Sequence, residues 1–138
     1  MVAAVWLGAA PLVWACSCMK LRTEQLSAKA DVVFVGQVEQ VGPDDTEYHV
    51  GEKYIIKANQ VTATVAVRSQ HKGTVGERVK VNTAASDAAC GYPFEAGREY
   101  LIYATVEPTY VGEFHTGLCA GTKPLREAAE DLRALGAL

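Results

Sequence analysis

The feature that most constrains this chain is the placement of its four cysteines. Cys16 and Cys18 stand one residue apart in "WACSCMK", directly after an apolar run, while Cys90 and Cys119 lie far downstream. An even count behind a signal-like segment points to an oxidising compartment and two disulfides, for which four cysteines allow three pairings. A bridge between cysteines one residue apart is disfavoured, because disulfide geometry needs close Cα atoms and converging side chains. Cys16 and Cys18 therefore each reach to Cys90 or Cys119, in an order that the spacing leaves open. Either order closes loops of many tens of residues, worth about 4 kcal/mol apiece at the upper end of the chain-entropy model. The N-terminal segment is then tied down twice.

Residues 1–15, "MVAAVWLGAAPLVWA", carry no charged side chain. The run is shorter than the roughly 20 apolar residues that span a bilayer. It reads as the apolar part of a secretory signal, with Val13 and Ala15 as the small residues before a cut at Ala15–Cys16. The competing reading is a buried first strand or helix. Both tryptophans, Trp6 and Trp14, fall in this segment, so a cut at Ala15–Cys16 leaves a chain without tryptophan. "LVWAC" also approaches a bacterial lipobox, but a lipid on the Cys16 sulfur would leave one of the other three cysteines unpaired. Two thiols at i and i+2 lack the two-to-four-residue separation of a structural zinc site. Disulfides are the favoured use, and the expected location is secreted or periplasmic in the cell envelope, with no membrane attachment unless Cys16 is lipidated.

A chain of 138 residues can bury a core as one domain, here residues 16–138. Its net charge of −3, with dispersed lysines and arginines, lacks the footprint of a nucleic-acid binder. "LRTEQLSAKA" (21–30) reads as a short helix with Leu21 and Leu26 inward. "ADVVFVGQVEQV" is a strand with Gly36 at a bulge or bend. "GPDD" (42–45) is a turn cluster, and 46–59 a long loop or protruding hairpin. From Gln60, Val61, Ala63, Val65 and Val67 alternate with polar residues as in a half-buried strand. "RVKVNT" turns Val79 and Val81 inward with Lys80 and Asn82 outward. "REYLIYATV" is the most apolar strand, and "YVGEFHTGLC" supplies a fifth. "TKPLREAAEDLRAL" reads as a helix, with Pro124 in its first turn, Thr122 or Lys123 as cap, and Gly136 as terminator. The expected fold is mainly β: a five-stranded antiparallel OB-like barrel with a short N-terminal helix and a C-terminal helix.

A catalytic site is not legible. His49, His71 and His115 are far apart and form no ligand pattern, so solvated side chains are the simpler reading. Asp44 and Asp45 fit a solvated turn better than a calcium site. No nucleophile elbow, phosphate loop or triad signature occurs, so the expectation is a non-enzyme that needs no cofactor and no metal of its own.

In this order and spacing, the "CSC" start, "VVFVGQV", "HKGTVGERVKVNT", "CGYPFEAGREYLIYA" and "LCAGTKPLREAAEDL" resemble the netrin-like fold of the tissue inhibitors of metalloproteinases. The likeness covers nearly all of the chain after Ala15. It implies the pairing Cys16–Cys90 and Cys18–Cys119. It also implies a zinc metalloproteinase as partner, whose catalytic zinc is chelated by the free α-amine and carbonyl oxygen of Cys16. Under the same resemblance, Ser17 points into the protease specificity pocket. Cys18 and Met19 extend the contact ridge, and Ser86, Asp87, Ala88 and Ala89 form the loop beside it. Lys20 stands where proline is usual. A third disulfide and a C-terminal domain are missing, which fits a single-domain, bacterial-type, monomeric member. The alternative reading is a non-inhibitory netrin-like module of the cell envelope that binds protein or polysaccharide, with lipidation of Cys16 compatible with that role.

Overall fold

The computed structural model describes residues 16–44, 47–50, 54–57, 59–106 and 114–137. The signal-like segment 1–15, Asp45 and the first four residues of "YVGEFHTGLC" lie outside them. Helix α1 (Thr23–Lys29) is followed by β1 (Val32–Asp44), a hairpin of β2 (Glu47–Val50) and β3 (Tyr54–Lys57), then β4 (Gln60–Lys72) and β5 (Arg78–Ala84). A 3₁₀ turn (Asp87–Ala89), β6 (Glu99–Val106), β7 (Phe114–His115), β8 (Lys123–Pro124), a second 3₁₀ turn (Leu125–Glu127) and helix α2 (Ala129–Ala134) complete the order.

The first strand explains the architecture. "VVFV" is apolar at every position because β1 is buried on both faces, and period two sorts its side chains between two cores. Val32, Phe34 and Val38 join Ala63, Val65, Val79, Val81, Tyr100 and Ile102 in the larger core, within the ring of strands. Val33 and Val35 point the other way, meeting Leu26 of α1, Leu101 and Tyr103 of β6 and Ala128 before α2. β1 pairs with β4 on one side and β6 on the other, and β4, β5, β7 and β6 continue the circuit, so five strands form an OB-like ring. Every pairing in the ring is antiparallel except the two-residue contact of β5 with β7, which is parallel.

Gly36 is where the ring bends. The β1–β4 register shifts between Val35 and Gly36, and a Cβ at Gly36 would run into the Val65 side chain and lie 2.9 Å from the Ala66 carbonyl oxygen. The close approach of two backbones requires glycine here.

Several expectations need correction. Gly42, Pro43 and Asp44 continue β1 and pair with Thr62, Val61 and Gln60, so no turn breaks the chain there. Proline is tolerated because β1 beyond Gln37 has lost its β6 neighbour and Pro43 lies where only β4 pairs. Within 46–59, the described residues Glu47–Val50 and Tyr54–Lys57 pair antiparallel, as in the hairpin form of the two readings. Asn82 is fully buried, with its Oδ1 accepting from Thr62 Oγ1 at 2.8 Å. The outer face of β5 is covered at that point, which alternation alone does not show.

The C-terminal helix is also shorter than its sequence pattern suggests. Lys123 and Pro124 form β8 against Tyr100 and Leu101, and α2 begins only after Ala128. The reason is an open stretch of backbone on β6. Between the residues that pair with β7 and those that pair with β8, Tyr103 has no strand partner on that edge. Its N–H donates to Thr122 Oγ1 at 3.0 Å and its carbonyl accepts from Thr116 Oγ1 at 2.8 Å. Satisfying buried backbone outweighs the capping role expected of Thr122. Gly136 does end the helix, at φ 78°, with its N–H donating to Arg133 O and that of Ala137 to Leu132 O. Buried Asp131 fastens α2 to the sheet, accepting from the Tyr103 hydroxyl at 2.6 Å and from Lys123 Nζ at 2.9 Å. Burial, and then that hydrogen bond, push the Tyr103 phenol above its ordinary range near 10.

Candidate functional site

Two loops on the same side of the ring receive the N-terminal segment. The first follows β5. Ser86 opens a single 3₁₀ turn and accepts the Ala89 N–H on its Oγ at 3.3 Å, while its carbonyl oxygen accepts from Ala89 and Gly91 N–H. The turn ends with Cys90 in the left-handed region at φ 63°, a conformation costing a non-glycine residue roughly 1–3 kcal/mol. Gly91 has no alternative there, because a Cβ would collide with the Ala84 carbonyl oxygen. This sharp reversal aims the Cys90 side chain at Cys16, and the two are bridged with Cα atoms 5.6 Å apart. The Cys16 sulfur lies 3.6 Å from the Asp87 carbonyl oxygen.

The second loop, 117–121, is held at both feet by the same backbone. Thr116 and Thr122 bond to Tyr103 as described, and their hydroxyls are 2.8 Å from each other. Gly121, at φ 107°, passes so close to Leu26 and Tyr103 that a Cβ would lie 2.9 Å from Leu26 Cδ1. At the tip, Cys119 bridges to Cys18 with Cα atoms 5.1 Å apart. The Leu118 N–H donates to the Cys90 carbonyl oxygen at 2.8 Å, so the two loops are joined directly. The bridges are those the resemblance implies, and they close sequence separations of 74 and 101 residues.

The segment between these anchors is presented to solvent. Ser17, Cys18, Met19 and Lys20 are exposed, as are Ser86, Asp87, Ala88 and Ala89, while Cys16 is half-buried between the two groups. Beyond Lys20 the chain is fixed again. Leu21 and Leu26 pack on the second core, the Arg22 N–H donates to Gln25 Oε1 at 3.0 Å, and α1 begins. Lys72 Nζ completes the anchorage, donating to the carbonyl oxygens of Ser27 and Ala30 at 2.6 and 2.7 Å near the end of α1. All seven residues expected to form the contact ridge are therefore on the surface around Cys16. Leu118, 39% exposed, also belongs to this surface. Its position beside Cys119 was the available signal, but an isolated leucine in "TGLC" reads as part of a strand.

Neither described histidine side chain, His71 or His115, is among the ridge residues. His71 Nε2 is 3.0 Å from Ser69 Oγ, and His115 is half-buried on β7 with its Nδ1 shielded, so it is less solvated than expected. Among the described residues no group of three or more His, Cys, Asp or Glu side chains is placed to hold a metal ion. No helix among them is long and apolar enough to cross a membrane.

An OB-like ring carrying a doubly bridged, exposed N-terminal ridge defines a netrin-like domain. A family model described as "Tissue inhibitor of metalloproteinase" matches residues 14–132, and the chain belongs to that family. A search of curated proteins returns no match. The family consists of inhibitors rather than enzymes, its partners in general are metalloproteinases, and a disulfide-bonded domain of this family fits an extracellular protein.

Proposed function

We propose that the chain is secreted, is cut at Ala15–Cys16, and acts as a monomeric metalloproteinase inhibitor whose Cys16 α-amine and carbonyl oxygen chelate the zinc of a target protease. The observation that carries this reading is the convergence on Cys16. One bridge fastens it to the Ser86–Gly91 loop, the next fastens Cys18 to the 117–121 loop, and Ser17, Met19 and Asp87 are exposed around it.

The chemistry is economical. Catalytic zinc keeps one position open for water, and an N,O pair can occupy it and displace the nucleophile. An α-amine has a pKa near 8, so shedding its proton on meeting zinc costs little at neutral pH. The two bridges hold the chelating backbone before docking, which lowers the entropy lost on binding. Ser17 follows Cys16 and would enter the protease specificity pocket, with Cys18, Met19 and Ser86–Ala89 covering the cleft on either side.

Intact mass with and without reduction reads the cut, any lipid and the disulfide count together. A chain beginning at Cys16 with two bridges and no acyl group is expected. Material that retains Ala15, made for comparison, should fold with the same bridges yet fail to inhibit zinc endoproteases that the processed chain inhibits. Equal inhibition by both forms would refute chelation through a free amine. If the processed chain inhibits none of a broad panel, the surface serves a non-inhibitory binding role.

A further inference from the structure

We infer that Met19 is an oxidant-sensitive modification site: hydrogen peroxide converts its thioether reversibly to the sulfoxide, and the change loosens the ridge's hold on a protease. The inference rests on the inhibitory reading and adds a means of regulating it. Residues 16–138 contain one methionine and no tryptophan, because Met1, Trp6 and Trp14 all precede Ala15–Cys16. The two disulfides take up all four cysteines, so no thiolate competes for the oxidant. The side-chain chemistry most open to peroxide is therefore gathered on a single sulfur. That side chain is 82% exposed, more than any other large apolar residue among those described, and it belongs to neither core.

Exposure makes the sulfur reachable, and placement gives its oxidation an effect. Because Met19 packs in neither core, an added oxygen leaves the fold intact. Cys18 on one side is bridged to Cys119, and Leu21 on the other packs on the second core, so the backbone of Met19 is held on the ridge. In the step itself a sulfur lone pair attacks one peroxide oxygen, and the S–O bond forms as the O–O bond breaks. The displaced hydroxide takes the remaining hydroxyl proton and leaves as water. Sulfur loses two electrons and peroxide gains them. A flexible apolar group becomes a polar, chiral one. On docking, the sulfoxide oxygen must shed its water, and an apolar partner surface returns no hydrogen bond, so affinity falls on the order of tenfold. A methionine sulfoxide reductase reverses the change, releasing the oxygen as water while a dithiol is oxidised to a disulfide.

The test treats the processed chain and its Met19→Leu variant with hydrogen peroxide, removes the peroxide with catalase, and then measures mass, thermal midpoint and inhibition of a zinc endoprotease. The parent should gain one oxygen, placed on Met19 by peptide mapping, with both bridges and its thermal midpoint kept. Its inhibition should weaken on the order of tenfold and return after treatment with methionine sulfoxide reductases A and B, one for each sulfoxide epimer. Met19→Leu, whatever its own affinity, should respond to neither treatment. Oxygen gained elsewhere before Met19 reacts would overturn the assignment of the site. Oxidation confined to Met19 with inhibition unchanged would overturn its regulatory role while chelation stands. A parent that inhibits no protease before peroxide is added refutes the inhibitory reading, and the regulatory role falls with it.

Discussion

The Leu118 N–H donates to the carbonyl oxygen of Cys90 at 2.8 Å, so the two loops that hold the N-terminal ridge are coupled without passing through the ridge itself. Cys90 is turned into the left-handed region to make its bridge, and the same turn presents its carbonyl to Leu118. Ridge, loops and β6 therefore behave as one mechanical unit, with Tyr103 as the common support.

That coupling limits what the second bridge adds to stability. Once Cys16–Cys90 is closed, Cys18–Cys119 closes a loop of only about 30 residues, worth about 3.5 kcal/mol in the chain-entropy model. Replacing Cys18 and Cys119 together by Ser should lower unfolding free energy by about that amount in a denaturant titration, well short of what an isolated 101-residue loop would give.

Thr122→Val removes the acceptor for the buried Tyr103 N–H while conserving shape. A loss of about 2 kcal/mol is expected, from an unsatisfied buried donor. Amide exchange should quicken at Tyr103 and in 117–121, with the strands β4 and β5 unaffected. Unchanged exchange in that loop would show that it does not depend on its threonine feet.

Gly91→Ala forces a Cβ onto the Ala84 carbonyl oxygen. The backbone must move, and a loss of about 2–3 kcal/mol follows if it moves only partly. The Ser86–Cys90 loop is displaced, so association with a target protease should weaken more than it does for Thr122→Val.

Alkaline pH acts through the tyrosines. The Tyr103 phenol is raised by burial and by its bond to Asp131, and the Tyr92 phenol chiefly by burial, both from an ordinary value of 10. A group whose folded pKa is raised contributes stability that is whole below its unfolded value and lost as pH climbs above it. Thermal stability should therefore hold up to about pH 10 and fall beyond it. Phenolate absorbance from these two residues should appear only as the chain unfolds. Tyr103→Phe should flatten the alkaline fall while costing stability at neutral pH through the lost bond to Asp131. Ionisation of all tyrosines near 10 in the folded chain would contradict the buried placement.

Much of the fold was legible because β1 and β6 carry their burial in the sequence. "VVFV" and "YLIYA" are apolar at consecutive positions, as strands covered on both faces must be, and the alternation from Val61 to Val67 marks a strand with one covered face. Gly36 and Gly136 were readable because their roles are local. What failed was set by distant partners. Thr122–Pro124 follow a helix-start pattern, yet the unpaired edge of β6 recruits them. Asn82 alternates outward, yet its face is covered. Pro43 signals a turn, yet it lies on a stretch with a neighbour on one side only. The cysteine pairing was ambiguous from spacing, since a left-handed Cys90 and the Thr116–Thr122 clamp decide which sulfur meets which.

The most direct test of the central claim is the inhibition constant of the processed chain, beginning at Cys16, before and after acetylation of its α-amine. Acetylation leaves both bridges, Ser17, Met19, Lys20 and Leu118 in place and removes only the nitrogen's ability to bind zinc. Chelation through the free amine requires that inhibition of a zinc endoprotease be lost on acetylation while thermal stability is retained. Equal inhibition by the acetylated and free forms would contradict it.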